Sequence, residues 1–295
     1  MSTRRNTTSE LIGLRVADRE LWLDARKSGI QLTVPACHAC FMALGPPGGG
    51  LTLRVRDGPL RSTDGWGSVF FDPETWQLWR DGAGRHVFVA SKRSPPPRQI
   101  AVDAAYGTGE VIGEFGAGAP AGQAFYPLKD IDMVLYANWL AESGDLIVHA
   151  SGIDDEGAGY AFVGPSGSGK STLVAALASG SPVTVLGEDT VIVSYREGRF
   201  LVYGTPWHTD AARCSPGGVP LKKLFFLDRA AEHGVAPCGR RAGIERLLQD
   251  ALIPYYNRPG VERILDTLSR LAEQVPFYTL GYRIGADVMS LIKEA

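Results

Sequence analysis

The sequence predicts an α/β fold, with a domain of alternating strands and helices preceded by a β-rich N-terminal domain. Two observations support this. The segment "AFVGPSGSGKSTLVAALASG", residues 161–180, reads as an apolar strand, a glycine loop and a helix. Short strand-like runs between turn clusters fill the first 125 residues, whereas strand-like and helix-like segments alternate afterwards. We therefore expect a β-rich domain over 1–126 and a second domain over 127–295.

The N-terminal region has the composition of short strands. Its runs "LTLRV", "SVFF", "HVFVA" and "EVIGEF" are separated by turn clusters such as "GPPGGG" and "RDGAGR". No segment there repeats an apolar residue every three to four positions over three turns. Trp76 and Trp79 are expected to fill the core of this domain or its contact with the second one.

The second domain is expected to open with a helix in "YPLKDIDMVLYANWLAESGD", where apolar residues share one face: Ile131, Val134, Leu135, Trp139 and Leu140. Further helices are predicted from Lys170 to about residue 178, near 240–252 and 260–274, and at the end of the chain. The strands between them predict a sheet with antiparallel as well as parallel pairing.

Composition and charge narrow the classes of partner. The 295 residues carry a net charge of −2, with 44% apolar and 21% charged residues, which predicts neither a nucleic-acid-binding surface nor a membrane partner. No apolar run reaches the ~18 residues of a membrane span, and the start of the chain lacks the pattern of a secretory signal. We expect a cytoplasmic protein; a homo-oligomer is compatible with the sequence.

The four cysteines are too few for a disulfide scaffold. Cys37 and Cys40 form one close pair, in "PACHAC", with His38 between them. Three interpretations stay open for this pair: a zinc site, redox chemistry, or small residues of the core.

The glycine loop carries the most specific chemistry in the chain. Residues Gly164 to Ser171 match G-x-x-x-x-G-K-[ST], the pattern whose backbone N–H groups surround phosphate oxygens at the start of a helix. Lys170 would contact the β- and γ-phosphates, and the Ser171 hydroxyl would bind Mg²⁺. The sequence thus predicts ATP and Mg²⁺ as ligands, with this nucleotide-binding set: Gly164, Pro165, Ser166, Gly167, Ser168, Gly169, Lys170, Ser171 and Thr172.

Two acidic residues follow the next predicted strand. "PVTVLGEDT" runs as an apolar strand into Glu188 and Asp189, where a magnesium-binding acid is expected beside a phosphate loop. Side chains alternate along a strand, so one carboxylate could hold the metal and the other accept a proton from an incoming hydroxyl. The alternative is a solvated acidic turn.

His149 is a further candidate, in "LIVHASGIDDEGAGYAFVG". If "DDEG" forms a hairpin turn, Ile153 pairs with Ala158 and His149 lies opposite Phe162, two residues before Gly164. The imidazole would then lie near the γ-phosphate. The alternative is a buried histidine of the core.

Three segments together resemble a known family: "VHASGI", "FVGPSGSGKSTLVAAL" and "VLGEDTVIV" are similar in order and spacing to the catalytic domain of bacterial HPr kinase/phosphorylase. That family belongs to the phosphoenolpyruvate-carboxykinase-like phosphate-loop kinases. The likeness continues through "VYGTPWHTD", "PLKKLFFLD" and "VPFYTLGYRIGADVMSLI", over about 127–295. It implies a P-loop kinase domain with a mixed sheet, in which His149, Asp189 and Lys170 are catalytic and Ser171, Glu188 and Asp189 serve the metal.

This sequence departs from the HPr kinases in ways that leave the acceptor open. The acidic pair is Glu-Asp where Asp-Asp is usual, so the base is assigned to Asp189. The downstream glycine-rich signature is missing, and residues 1–126 do not resemble the usual regulatory domain. The expected activity is transfer of the γ-phosphoryl group of ATP to a hydroxyl, as in serine phosphorylation, on a protein, a peptide or a small metabolite. A non-catalytic ATP-sensing module and a simple NTPase are the alternatives.

Two further groups have two interpretations each. In "GTPWHTDAARCSPGG", Thr205, Trp207 and His208 would line an acceptor pocket under a mobile flap, or Trp207 would only anchor the packing. Arg240 and Arg241 would meet transferred phosphate or an acidic acceptor, or form a solvated surface.

Overall fold

The computed structural model describes residues 8–45, 47–90, 96–115, 125–208, 213–228, 232–283 and 287–295. The chain forms two compact units, residues 1–136 and 137–295. Each unit contains one mixed sheet, so the chain is a mixed α/β protein. Within the described ranges, no helix combines the length and apolar character needed to cross a membrane.

The sheet of the N-terminal unit has eight strands in the order β1-β2-β3-β8-β7-β6-β5-β4. The pairs β2–β3 and β3–β8 are parallel and the others antiparallel. The strands are β1 Leu11–Val16, β2 Arg19–Asp24, β3 Leu51–Asp57, β4 Gly67–Phe71, β5 Trp76–Arg80, β6 His86–Ala90, β7 Arg98–Val102 and β8 Thr108–Gly113. The four predicted runs overlap β3, β4, β6 and β8.

Two features of this unit differ from the expectations. A short 3₁₀ helix, Ala36–Phe41, carries the cysteine pair; its six residues make about two turns, too few to show a helical repeat. On β5 the fully buried side chain is Leu78, whereas Trp76 and Trp79 are only half-buried. Trp76 stacks on Phe70 with ring centroids 4.4 Å apart, so these tryptophans do not fill the core.

The C-terminal unit is built on a ten-stranded sheet whose main order is β12-β10-β11-β15-β14-β13-β9-β17, with β18 pairing β15 and β16. Its strands are β9 Leu146–Val148, β10 Ala150–Asp155, β11 Ala158–Val163, β12 Thr184–Gly187, β13 Val191–Arg196, β14 Arg199–Gly204, β15 Gly218–Leu227, β16 Gly234–Pro237, β17 Ala251–Leu252 and β18 Phe277–Gly281. The pairs β11–β15 and β15–β18 are parallel, so the sheet mixes both kinds of pairing as predicted.

The described residues form five α-helices: α1 Asp132–Ala141, which begins in the N-terminal unit, and α2 Lys170–Gly180, α3 Arg240–Asp250, α4 Arg258–Gln274 and α5 Val288–Glu294 in the C-terminal unit. Side chains of β11 alternate between two buried clusters. Ala161 and Val163 join a cluster that contains α4, whereas Phe162 packs with the apolar side of α2. Because β11 is buried on both faces, it reads as a continuous apolar run.

Helix α3 ends earlier than predicted. The expected helix over 240–252 stops at Asp250, and the last two residues form β17, which pairs with β9. A two-residue strand carries no periodicity of its own, so only its pairing partner reveals it.

A buried ion pair holds the start of β9. Asp145, which is 1% exposed, accepts two hydrogen bonds from the Arg196 guanidinium, at 2.9 and 2.5 Å. Its carboxylate also accepts from the hydroxyls of Ser194 and Ser143, both at 2.7 Å. This network fixes the strand that leads into His149.

Asp145→Asn should lower the free energy of unfolding by about 2 kcal/mol, the usual contribution of a hydrogen bond to a charged group, because Arg196 loses its charged partner in a largely buried setting. Urea unfolding followed by circular dichroism measures the change. Glu245→Gln is the matched control, since Glu245 pairs with Arg241 at 2.9 Å on an exposed helix face, where such pairs contribute little. Equal losses of unfolding free energy from both substitutions would show that the Asp145–Arg196 pair contributes no more than an exposed pair.

Candidate functional site

The glycine loop, residues 164–169, connects β11 directly to the first residue of α2. Gly167 and Gly169 have φ values of 79° and 101°, in the left-handed region that favours glycine. Gly169 is the N-cap of α2, and since it has no side chain it leaves the amide groups of the first turn open to an outside acceptor. The loop therefore presents backbone donors at the positive end of a helix.

Tyr282 holds the loop from the side of β18. Its hydroxyl donates to the Gly169 carbonyl at 2.8 Å. A Cβ on residue 169 would lie 2.6 Å from that hydroxyl oxygen. Gly169 is thus required both for its backbone conformation and for this close contact.

Two buried polar groups of the loop fit an anionic ligand. The Ser168 hydroxyl oxygen is buried and makes no hydrogen bond to any residue that the structure describes. The Lys170 ammonium is also buried, and it donates to the carbonyls of Gly164 and Pro165. A hydroxyl and an ammonium in this arrangement are what a phosphate group would satisfy.

The hairpin before the loop brings His149 to it, with a register that differs from the prediction. Ile153 pairs with Tyr160 rather than Ala158, and the ladder ends at Ala150 opposite Val163. The turn consists of Glu156 and Gly157 alone, both at positive φ, as a two-residue type I′ turn requires. His149 therefore lies one residue beyond the β10–β11 pairing, opposite Gly164 and not opposite Phe162.

Asp250 is a site residue that the sequence did not indicate. Its carbonyl accepts a hydrogen bond from the His149 amide at 2.6 Å, and its carboxylate lies 3.9 Å from His149 Nδ1. Asp250 reaches this position because β17, which follows it, pairs with β9. An aspartate at a helix end carries no motif, so only the strand pairing could have identified it.

Four ionisable groups lie within electrostatic reach of one another beside the loop: Lys170, His149, Asp189 and Asp250. Burial lowers the pKa of the Lys170 ammonium, and Asp250 and Asp189 oppose this effect. Burial, followed by the charge of Lys170, lowers the pKa of His149, whereas Asp250 and Asp189 raise it. His149 is therefore a neutral imidazole at pH 7 in the absence of a ligand. The three side chains assigned as catalytic from the sequence lie within electrostatic reach of each other.

The two acidic residues after β12 have different surroundings. Glu188 is buried and pairs with Arg213 at 3.2 Å, and its carbonyl accepts a hydrogen bond from Ser151 on β10. Asp189 is half-buried and acts on Lys170 and His149. Both residues lie beyond the end of β12, so strand alternation does not apply to them; Glu188 pairs with an arginine, whereas Asp189 acts on Lys170 and His149.

The "GTPW" segment is tied to the loop after β12. Thr205 is fully buried, and its hydroxyl donates to the Thr190 carbonyl at 2.8 Å. The Thr190 hydroxyl in turn donates to the Trp207 carbonyl at 3.2 Å. Thr205 therefore stabilises the loop that carries Glu188 and Asp189, and it does not line an open pocket. Trp207 and His208 are half-buried, and residues 209–212 of the expected flap lie outside the described ranges.

Arg240 and Arg241 lie at the opposite end of α3 from Asp250, about 15 Å along the helix axis. Both are exposed, and Arg241 pairs with Glu245, so their surroundings match the solvated alternative. Arg246, in contrast, is four residues from Asp250 on the same face of α3. Its guanidinium contacts the Leu227 carbonyl at the carboxyl end of β15.

Ser171 and Thr172 are exposed in the first turn of α2. Among the residues the structure describes, no three His, Cys, Asp or Glu side chains converge as a ready-made metal site. A magnesium–nucleotide site does not need one, because Mg²⁺ keeps several waters and takes one or two protein oxygens beside the phosphates. The exposed Ser171 hydroxyl and the Asp189 carboxylate are suitable donors.

Comparisons with known proteins find similar chains among solved structures. No protein-family profile and no curated protein sequence matches the chain. Among solved structures, the HPr(Ser) kinase/phosphatase from Coxiella burnetii is similar at 11% sequence identity over 50% of this chain and 86% of the other, with a TM-score of 0.27. That TM-score is too low for the match to bear on the chemistry of the site.

The titration of His149 tests whether the four charges interact in solution. Lys170→Ala should raise the pKa of His149, because the repulsion between two positive charges disappears. Asp250→Asn should lower it, because the favourable carboxylate is lost. The imidazole C2–H resonance in NMR spectra recorded against pH reports both shifts, and the resonance of His233, on the exposed surface, serves as the internal control. If the pKa of His149 is the same in both variants as in the wild type, Lys170 and Asp250 do not interact with the imidazole in solution.

Proposed function

We propose that residues 127–295 form a P-loop kinase domain that uses ATP and Mg²⁺ to phosphorylate a hydroxyl group, with serine as the expected acceptor type. This proposal rests on one observation: Lys170, His149 and Asp189 lie within electrostatic reach of one another beside a glycine loop that begins a helix. A phosphate loop alone predicts a nucleotide; a carboxylate and an imidazole beside it are the groups that phosphoryl transfer needs.

The glycine loop would bind the phosphates of the nucleotide. Backbone amides of residues 164–172 would donate to phosphate oxygens, with the Ser168 hydroxyl as an additional donor. Lys170 would exchange its loop carbonyls for phosphate oxygens, and the negative charge of the ligand would restore part of the pKa that burial lowers. Arg246, whose guanidinium contacts the Leu227 carbonyl at the carboxyl end of β15, would supply a second positive charge.

Mg²⁺, when bound, would neutralise charge on the β- and γ-phosphates. We propose the Ser171 hydroxyl and the Asp189 carboxylate as its protein ligands. Glu188, also expected to serve the metal, would reach it only if Arg213 released its carboxylate, or through water.

Asp189 is the proposed general base. A carboxylate that faces the loop can accept the proton of the acceptor hydroxyl as its oxygen attacks the γ-phosphorus and the bond to the β–γ bridging oxygen breaks. His149, neutral at pH 7, can donate a hydrogen bond to this carboxylate or to the transferred group without adding a full charge. Asp250 would keep the imidazole oriented.

The acceptor class is open to a direct experiment. Incubation with γ-labelled ATP and a cytoplasmic extract of bacteria should label a protein, a peptide or a small metabolite. Lys170→Ala should abolish the label and weaken ATP binding about ten- to a hundredfold, since a charge-assisted contact contributes ~1.5–3 kcal/mol. Lys222→Ala, on an exposed strand position, is the matched control and should behave as the wild type.

The distribution of label separates the three candidate activities. Label that appears only as free phosphate would identify a simple NTPase, and label that stays in ATP would identify a binding module. Either outcome would overturn the kinase proposal. Supplementation with Mg²⁺ or with EDTA establishes the metal requirement in the same assay.

Asp189→Asn tests the assigned base independently of nucleotide binding. Phosphoryl transfer should fall about 10²- to 10⁴-fold, the usual contribution of a positioned base, while ATP affinity measured without Mg²⁺ stays near the wild-type value. Transfer at the wild-type rate in this variant would rule out Asp189 as the base.

A further inference from the structure

A hydrogen-bonded chain of cysteine, histidine and aspartate lies in the N-terminal unit, and none of its three residues belongs to the proposed kinase site. The Cys37 sulfur is 3.3 Å from His38 Nδ1, and His38 Nε2 is 2.7 Å from an Asp132 oxygen. His38 and Asp132 are 5% and 6% exposed, whereas Cys37 is half-buried. The three groups follow the order of an activated nucleophile, its base and the residue that orients the base.

The surroundings fix the aspartate end of this chain. The Tyr126 hydroxyl donates to the same Asp132 oxygen at 3.1 Å, and the Tyr126 ring lies 5.1 Å from the His38 ring. The Met133 amide donates to the other Asp132 oxygen at 2.9 Å. The other ionisable groups that act here are Arg98, Asp130 and Tyr136.

His38 is positively charged at pH 7. Burial alone would lower its pKa, but the hydrogen bonds to Asp132 and Cys37 outweigh burial and raise it to about 9. Both ring nitrogens then carry protons, so Nε2–H donates to the Asp132 carboxylate and Nδ1–H donates to the Cys37 sulfur. An imidazolium donor stabilises a thiolate relative to a thiol.

A second thiol lies on the same face. Cys37 and Cys40 are three residues apart on a 3₁₀ helix, where residues i and i+3 are eclipsed and separated by about 6 Å of rise. This spacing lies within the Cα separation that a disulfide spans. Both cysteines are half-buried reduced thiols. A metal does not explain the pair, since the described residues offer no cluster of three metal-ligating side chains.

We propose that Cys37 and Cys40 form a redox pair that exchanges with a low-molecular-weight disulfide, with Cys37 as the nucleophile and His38 and Asp132 as its activating groups. The Cys37 thiolate attacks one sulfur of the small disulfide; a Cys37 mixed disulfide forms and one small thiolate leaves. The deprotonated Cys40 sulfur then attacks Cys37, which forms the Cys37–Cys40 disulfide and releases the second small thiolate. The protein is oxidised by two electrons and the small disulfide is reduced to two thiols.

The full chain treated with oxidised glutathione, followed by mass spectrometry of peptides, tests this proposal. In the wild type, the expected product is the Cys37–Cys40 disulfide, formed at least about tenfold faster than any adduct of Cys214 or Cys238. Cys40→Ser should instead accumulate a glutathione mixed disulfide at Cys37. Cys238→Ser is the matched control and should behave as the wild type.

The rate of alkylation by iodoacetamide against pH tests the activating groups. Cys37 should react at pH 7 about tenfold faster than Cys238, and Asp132→Asn should remove this advantage in a protein that keeps its wild-type circular dichroism. Cys37 alkylation with the same rate and pH profile as Cys238 in the wild type would overturn the proposal, whatever the stability of the variant. Glutathione adducts spread evenly over Cys37, Cys214 and Cys238 would also overturn it.

Discussion

The main-chain hydrogen bond from the His149 amide to the Asp250 carbonyl is the contact on which the C-terminal site depends. At 2.6 Å, it joins the junction of β9 and β10 to the end of α3, where β17 begins. On one side of this bond the chain continues into the hairpin that ends at the glycine loop. On the other side the bond brings the Asp250 carboxylate to the imidazole.

Charge balance around Lys170 follows from this geometry. A buried ammonium is costly unless it is hydrogen-bonded and faced by opposite charge. The carbonyls of Gly164 and Pro165 supply the hydrogen bonds, and Asp189 and Asp250 supply the negative charge. In the proposed function, phosphate oxygens would take the place of these carbonyls.

Both units contain a histidine that lies close to an aspartate from a distant part of the chain. In each, an aspartate distant in sequence approaches a histidine and helps to set its charge. Asp132 is hydrogen-bonded to His38, which becomes an imidazolium. Asp250 lies farther from His149, and burial together with Lys170 keeps that imidazole neutral. The balance between a direct hydrogen bond and a neighbouring cation decides which state each histidine adopts.

Sequence alone determined the elements that depend on neighbours along the chain: the glycine loop with its strand and helix, the acidic pair after β12, and most strands. These follow from local periodicity and from residue types required at fixed spacing. The hairpin register is also local, but it depends on which residues form the turn; the structure has Glu156 and Gly157 there, so His149 lies opposite Gly164. Tertiary structure decided what depends on distant residues. Pairing of β17 with β9 brought Asp250 beside His149, and the contact of Asp132 with His38 extended the cysteine pair into a hydrogen-bonded chain of Cys37, His38 and Asp132. Such contacts join chain segments about a hundred residues apart, and no local pattern encodes them.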